Sequence, residues 1–264
     1  MTALLPIPAA VAERLDGEPL VVMLDVDGTL APIVSQPQEA EVPVETRRVL
    51  AALAARDDVR VALVSGRAAA DARRMVSVSN VWAIGNHGFE VLTPDGDEVV
   101  DAELAPWRQT MGRLARRLAP LVAPVPGVIL EDKGWTLSIH YRLADPAVVP
   151  KLRETVEQLA QGVGLRVTAG KMVLEVRPPA RVDKGTAVLH LGAQLGGLSD
   201  GGSLVFVGDD RTDEDAFGAL RLRSRDAVTV RVTHGDDVRT SAEFAVRDPA
   251  EVREFLEWLL ASRR

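Results

Sequence analysis

The sequence predicts an α/β protein, a parallel sheet covered by helices on both faces and interrupted by a smaller α+β domain. Three patterns carry this. Short apolar runs alternate with amphipathic stretches near the start of the chain, and the same alternation returns from residue 184 onward. The residues between follow another rhythm, helix–strand–strand twice over. Strands buried on both faces read as continuous apolar runs, so the first two patterns point to a parallel sheet.

Taken in order, residues 20–24 form a compact apolar run that ends in an acidic loop. Residues 44–56 place Val49, Leu50 and Leu53 at helical spacing. A second apolar run at 59–64 precedes a polar helix from residue 68 or so, and a third run spans 81–84. The central segment, 103–181, reads as a helix (105–118), strands at 128–131 and 135–142, a second helix (146–161), and strands at 165–168 and 172–177. Asp-Lys-Gly and Ala-Gly-Lys between the strands of each pair are turn sequences, which predicts antiparallel hairpins. A helix at 184–195, a strand at 204–207, a helix at 213–220, a strand at 228–232 and a helix at 249–262 complete the alternation. Pro178, Pro179 and the stretch 94–96 mark candidate boundaries. The expected division is a core of residues 1–103 and 182–264, with 104–181 inserted. No element is assigned to the first 18 or so residues.

With 264 residues, 47% hydrophobic and 26% charged, the chain has the balance of a globular protein able to bury a sizeable core. A net charge of −7 argues against general affinity for nucleic acid or anionic membrane. It leaves room for a phosphorylated substrate, because a metal ion and a few local cations reverse the potential inside a cleft. The lack of cysteine removes disulfides, thiolate metal sites and a Cys nucleophile. The opening residues lack a basic start and are broken by Pro6 and Pro8, so no signal peptide is read there. No apolar run reaches membrane-span length. A cytoplasmic location is expected by default.

Four loops carry candidate chemistry. Leu24-Asp25-Val26-Asp27-Gly28-Thr29-Leu30 follows the first apolar run, at a strand end where open α/β sheets bind ligands. Two carboxylates in Asp-x-Asp repel each other in an apolar cleft unless a cation sits between them. Gly28 lets the chain turn sharply and approach a ligand. The plainer alternative is an acidic strand-end turn. Val64-Ser65-Gly66-Arg67 ends the second run. A hydroxyl with free amides at a helix start makes an anion site, although Ser65 would serve equally as an N-cap. Arg181-Val182-Asp183-Lys184-Gly185 enters a helix, with Lys184 either solvated or a fixed cation beside metal and phosphate. Phe206-Val207-Gly208-Asp209-Asp210 and the residues to 215 place five carboxylates within seven positions. That is too many to be caps, so some must be metal ligands or partners of ligands.

These four loops, in this order, resemble those of the haloacid dehalogenase superfamily of phosphotransferases. The resemblance implies a Rossmann-like core with an inserted α+β cap of the C2B type. It also implies that Asp25 attacks phosphorus and becomes an aspartyl phosphate, as a carboxylate that is ionised at neutral pH without help from a base. Asp27 would be the general acid and base, with its backbone carbonyl on the metal. The resemblance further implies Mg2+ held by the oxygens of Asp25, Asp27 and Asp209, with Asp210 and Asp213 as hydrogen-bonding partners around them. Ser65, with Gly66 and Arg67, and Lys184 would hold phosphate oxygens.

The inserted segment narrows the resemblance. It contains Glu131-Asp132-Lys133-Gly134-Trp135, Ser138-Ile139-His140-Tyr141-Arg142 and Gly170-Lys171-Met172-Val173-Leu174-Glu175-Val176-Arg177-Pro178. With Gly85-Asn86-His87-Gly88 and Asp183-Lys184-Gly185, the chain from 20 to 217 is similar to the trehalose-6-phosphate phosphatase family. This implies hydrolysis of trehalose 6-phosphate, with Glu131, Lys133 and Glu175 gripping sugar hydroxyls through charge-assisted hydrogen bonds. Those three are otherwise strand-end charges pairing with one another. His87 would line the core side of the sugar pocket, while His140 and Arg142 read as structural. No third nitrogen or sulfur ligand accompanies the two histidines, which argues against zinc. Gly88-Phe89-Glu90 departs from the family's usual small residue before the glutamate, leaving Glu90 without an assigned role. A sugar phosphate is the expected partner, with a trehalose-phosphate synthase a further possibility. The competing readings are a phosphatase of sucrose, glucosylglycerol or mannosylglycerate phosphate, or a silent sugar-phosphate-binding regulator. The intact Asp25, Asp27, Lys184 and Asp209 argue against the silent form.

Overall fold

Residues 2–34, 39–99, 101–170, 172–235 and 239–263 are described by the computed structural model of the chain. Up to residue 99 the chain supplies β1 (Thr2–Ala3), α1 (Ala9–Arg14), β2 (Leu20–Asp25), α2 (Val44–Ala54), β3 (Val59–Val64), α3 (Ala69–Val76), β4 (Val81–Gly85), β5 (Glu90–Leu92) and β6 (Glu98–Val99). The middle contributes α4 (Ala105–Val122), β7 (Ile129–Asp132), β8 (Leu137–His140), α5 (Val149–Gln161), β9 (Arg166–Gly170) and β10 (Val173–Arg177). The remainder adds α6 (Lys184–Gln194), β11 (Ser203–Gly208), α7 (Asp213–Arg223), β12 (Val228–Val232), β13 (Phe244–Val246) and α8 (Pro249–Ser262). The chain divides into one unit of Met1–Val99 with Val182–Arg264 and another of Val100–Arg181.

The first unit is built on a nine-stranded sheet in the order β1-β13-β12-β11-β2-β3-β4-β5-β6. Pairing is parallel from β1 through β4, and antiparallel where β5 and β6 extend the edge. β2 lies at the centre with all six residues buried. Its side chains alternate, as a pleated strand requires. Val22 and Leu24 join Leu50, Leu53, Phe255 and Leu256 on one face. Val21 and Met23 join Val188, Leu191, Phe217 and Leu220 on the other. Burying each such side chain contributes roughly 1.5–3 kcal/mol. The continuous apolar run is therefore the signature of a strand with two cores to fill.

The second unit has a four-stranded antiparallel sheet, β7-β8-β10-β9. One face, with Leu137, Ile139, Leu174 and Val176, packs on Met111, Leu114 and Leu118 of α4 and Leu152 and Val156 of α5. The alternate residues form a polar face on which Glu131, Ser138, Glu175 and Thr168 stand in register across the four strands.

Several expectations shift. The helix expected at 146–161 begins only at Val149, because Pro150 has no N–H and belongs in a first turn. Residues 146–148 form a 3-10 turn in which Asp145 accepts from the Ala147 N–H at 2.9 Å. The strand expected at 135–142 shortens to β8, with Lys133 N–H bonded to the Thr136 carbonyl in the turn and Trp135 buried under Arg108. Residues 94–96 turn the β5–β6 hairpin, closed by Thr93 N–H to the Asp97 carbonyl at 2.9 Å. Lys171, in the turn expected before β10, lies outside the described residues.

Candidate active site

Parallel strands bring their carboxyl ends to one edge of the sheet, where three of the sequence loops follow β2, β3 and β11; the remaining one leads into α6. Asp25 ends β2 and is 4% exposed. Asp209 follows β11, its neighbour, and Asp213 opens α7. Carboxylate oxygens of Asp25, Asp209 and Asp213 lie within 4.8 Å of one another. A Cβ at Gly28, whose φ is +81°, would collide with Asp209 Oδ2, so the left-handed turn after Asp27 and the approach of β11's loop both require glycine there.

Lys184 is buried, which removes the solvated alternative. Its place at the first turn of α6 is fixed by Asp183, whose carboxylate accepts from the Thr186 N–H at 2.7 Å while Thr186 Oγ1 accepts from the Asp183 N–H. Lys184 Nζ donates to Asp25 Oδ1 at 2.7 Å and Asp213 Oδ1 at 2.8 Å, and stands 3.9 Å from Asp210 Oδ1. Asp213 Oδ2 accepts the backbone N–H groups of Asp209 and Asp210, both at 2.9 Å. Asp213 thus ties the lysine to the loop that carries Asp209, and both its oxygens are engaged. Asp210 Oδ1 accepts from Thr212 and from the Asp213 N–H, bracing the turn into α7.

One cation among four carboxylates leaves negative charge in excess. Burial pushes Asp25 well above the usual carboxylate range; Lys184 opposes this, and Asp213, Asp209 and Asp210 add to it. Burial likewise raises Asp213, to about 7, against the pull of Lys184. Asp209 is raised by burial and by Asp210. For Asp210 burial is outweighed by Lys184 and by hydrogen bonds, and its value falls to about 2. Burial alone would lower Lys184, but Asp213 and Asp25 hold it well above the usual ammonium value. An all-oxygen cluster of this charge fits a hard divalent cation.

Ser65, Gly66 and Arg67 do not open a helix. The first residue of α3 is Ala69, and its N–H is taken at 2.8 Å by Glu90 Oε2, which also accepts from Asn86 Nδ2. Glu90 thereby acquires a role, and that amide is not free for an anion. Ser65 is buried and its Oγ accepts the Arg67 N–H at 3.1 Å. Gly66 makes room for the ring of His87, which a Cβ would meet at 2.5 Å. Arg67 is placed on Asp27: Nε to Oδ2 at 2.7 Å and NH2 to Oδ1 at 2.6 Å.

In the second unit, Glu131 Oε2 accepts from His140 Nε2 at 2.9 Å and lies 3.8 Å from Lys133 Nζ. Glu175 accepts from Ser138 Oγ at 3.3 Å and from Arg177 NH2 at 3.0 Å. The three residues singled out do pair locally, Glu131 with Lys133 and Glu175 with Arg177, on one face of the sheet. His140, read as structural, holds Glu131.

Two residues near the cluster had no assigned role: Glu214, one of the five carboxylates of the fourth loop, and His234, which stood in no motif. Glu214 joins α7 to the residues before β13, accepting from Thr240 Oγ1 at 2.6 Å, Arg231 NH1 at 3.3 Å and the Ser241 N–H at 2.7 Å. His234, just beyond β12, brings Nε2 to 3.2 Å from Asp209 Oδ2. Both partnerships are long-range, and only the order of strands β12-β11-β2 foreshadows them.

Comparison with known proteins matches residues 23–250 to the trehalose-phosphatase family. An uncharacterized glycosyl hydrolase of Mycobacterium tuberculosis is 38% identical over 93% of this chain and 18% of its own length. The trehalose-phosphate phosphatase of Mycobacterium avium is 38% identical over 94% of this chain and 64% of its own. The chain therefore spans less than two thirds of these relatives. The structure of the C-terminal domain of trehalose-6-phosphate phosphatase from C. albicans superposes with a TM-score of 0.71, at 25% identity, over 99% of this chain and 98% of that one.

Proposed function

The chain belongs to the trehalose-phosphatase family of the haloacid dehalogenase superfamily, and from that premise we propose that it hydrolyses trehalose 6-phosphate to trehalose and phosphate. The observation that carries this is the buried Lys184 bonded to both Asp25 and Asp213 beside Asp209. In this reading an oxygen of Asp25 attacks phosphorus and the bond from phosphorus to the sugar oxygen breaks. Asp27 gives its proton to the departing alkoxide, then takes one from the water that hydrolyses the aspartyl phosphate and restores Asp25. Ser65 and Lys184 hold phosphate oxygens as charge moves. Residues 104–181 act as the cap, with Glu131, Lys133 and Glu175 bonding sugar hydroxyls, and His87 is a further sugar-binding residue of the core.

Asp25, the Asp27 carbonyl and Asp209 would hold Mg2+, with Asp210 and Asp213 supporting them. When bound, the ion supplies positive charge that keeps Asp25 ionised and polarises the phosphate. The fit rests on the clustered oxygens and on burial, which disfavours their charged forms until a cation stands among them.

Phosphate release from trehalose 6-phosphate, with and without Mg2+ and beside sucrose, glucosylglycerol and mannosylglycerate phosphates, tests the reading. Release is expected with the first substrate and Mg2+ together. Asp25→Asn should lower it by about 10³-fold or more with an unchanged circular dichroism spectrum. Binding of the sugar phosphate without Mg2+-dependent turnover would instead favour the silent regulator.

A further inference from the structure

Resting on the metal-dependent reading above, we propose that His234 is a positioning residue for Asp209, holding one carboxylate oxygen so that the other is presented to the divalent cation. β12 pairs in parallel with β11, Gly208 standing opposite Arg231, so the chain beyond β12 emerges beside the loop that carries Asp209. Two backbone bonds fix that exit: Thr233 N–H to the Val246 carbonyl at 3.0 Å and His234 N–H to the Arg247 carbonyl at 2.8 Å. His234 then takes a φ of +53° and Gly235 a φ of +86°, a turn with two successive left-handed residues. A side chain that is not glycine or asparagine adopts this conformation at a cost, and such positions gather where a side chain must be aimed.

The aim here is Asp209 Oδ2, at 3.2 Å from Nε2. Asp209 is buried and its Oδ1 makes no hydrogen bond with another described residue. On the other side Asp209 Oδ2 occupies the space that a Cβ at Gly28 would fill, so no side chain of that residue holds the carboxylate. Asp213 secures the backbone N–H of Asp209 but not its carboxylate. The imidazole is thus the group that sets the rotation of the carboxylate. A ligand carboxylate fixed by an outer hydrogen bond binds its metal more tightly than one free to rotate, typically by about 10- to 100-fold.

Mg2+ binding to the metal-stripped full chain tests this without reference to turnover, by calorimetry and by the Mg2+ concentration that gives half the maximal rise in melting temperature. His234→Gly relaxes the left-handed turn while deleting the imidazole. It should melt, without metal, no lower than the wild type, yet bind Mg2+ about 10- to 100-fold more weakly. His234→Asn tolerates the same φ but carries its amide closer to the backbone; it should show the same loss and covers the case in which the glycine variant fails to fold. His234→Gln, with an N–H donor at nearly the reach of the imidazole, should recover most of the affinity. Mg2+ binding by the glycine and asparagine variants within twofold of wild type, or tighter, would overturn the proposal. A wild-type chain that binds no Mg2+, with Asp209→Asn as the blank, would overturn the metal-dependent reading as well.

Discussion

Asp27 meets Arg67 through two parallel hydrogen bonds, and a guanidinium held on both oxygens fixes the plane of the carboxylate in a way a single ammonium cannot. If Asp27 delivers a proton to a sugar alkoxide, that plane decides whether the delivery is in line. Arg67→Ala should then lower kcat on a sugar phosphate by about 10- to 100-fold, and rates across a series of aryl phosphates should depend more steeply on leaving-group basicity. Arg67→Lys should restore only part. A uniform loss across all leaving groups would return Arg67 to the phosphate-binding role expected from Ser-Gly-Arg. Asp25, Lys184 and Asp209 were legible because each stands directly at a strand end or a helix start, beside an apolar run that announces itself. The Arg67–Asp27 pair spans 40 positions, and no local pattern encodes it. The raised Asp25 was likewise out of reach, since burial and three carboxylate neighbours act only once the loops meet.

At the level of elements, the end of α8 is clamped to the entry of β3 and to the residues before β2. The buried Arg263 donates to the carbonyls of Leu15 and Gly17, and lies 3.4 Å from Asp58, which also accepts from Arg56 Nε at 2.8 Å. The hydrogen bond from Arg56, with help from Arg263, holds the Asp58 carboxyl below its ordinary value. A carboxyl lowered on folding stabilises above its unfolded pKa near 3.9 and loses that contribution as pH falls through the folded value. Asp58→Asn should accordingly cost about 1–2 kcal/mol at pH 7, a fall in Tm of about 2–6 °C for a chain of this size, and the gap from wild type should be narrower at about pH 3 than at pH 7. Melting curves at the two pH values check it; a gap unchanged by acid would mean that packing rather than charge is lost. The strands at 20–25, 59–64, 81–85, 203–208 and 228–232 were legible because burial on both faces makes them mostly apolar, broken by Arg60 in the second and by Thr229 and Arg231 in the last. β5, β6 and β13 were not, being two or three residues long and set towards an edge of the sheet where exposure breaks the pattern. The six-residue α1, entered from Pro8, offers less than two turns of periodicity to read.

On the scale of the whole molecule, the two units keep separate hydrophobic cores, so a change on the polar face of the smaller sheet leaves the packing around Asp25 and Lys184 intact. On that face Glu131 and Glu175 stand in one row with Ser138 between them, roughly 10 Å apart at two strand spacings. Each is already oriented by neighbours, Glu131 by His140 and Lys133, Glu175 by Ser138 and Arg177. Two held carboxylates at such a separation suit a ligand that offers hydroxyls along its length rather than a single anionic group. The pairings of Glu131 are exposed and those of Glu175 half-buried, and neither reaches either hydrophobic core, so their removal should be felt more in recognition than in folding. Glu131→Ala and Glu175→Ala are expected to lower kcat/KM for trehalose 6-phosphate by about 10- to 100-fold each, the value of a hydrogen bond to a charged group. Hydrolysis of p-nitrophenyl phosphate, which has no sugar to grip, should stay within a few-fold of wild type. An equal loss on both substrates would place these glutamates outside sugar recognition and leave the pairing seen on the sheet as their whole role.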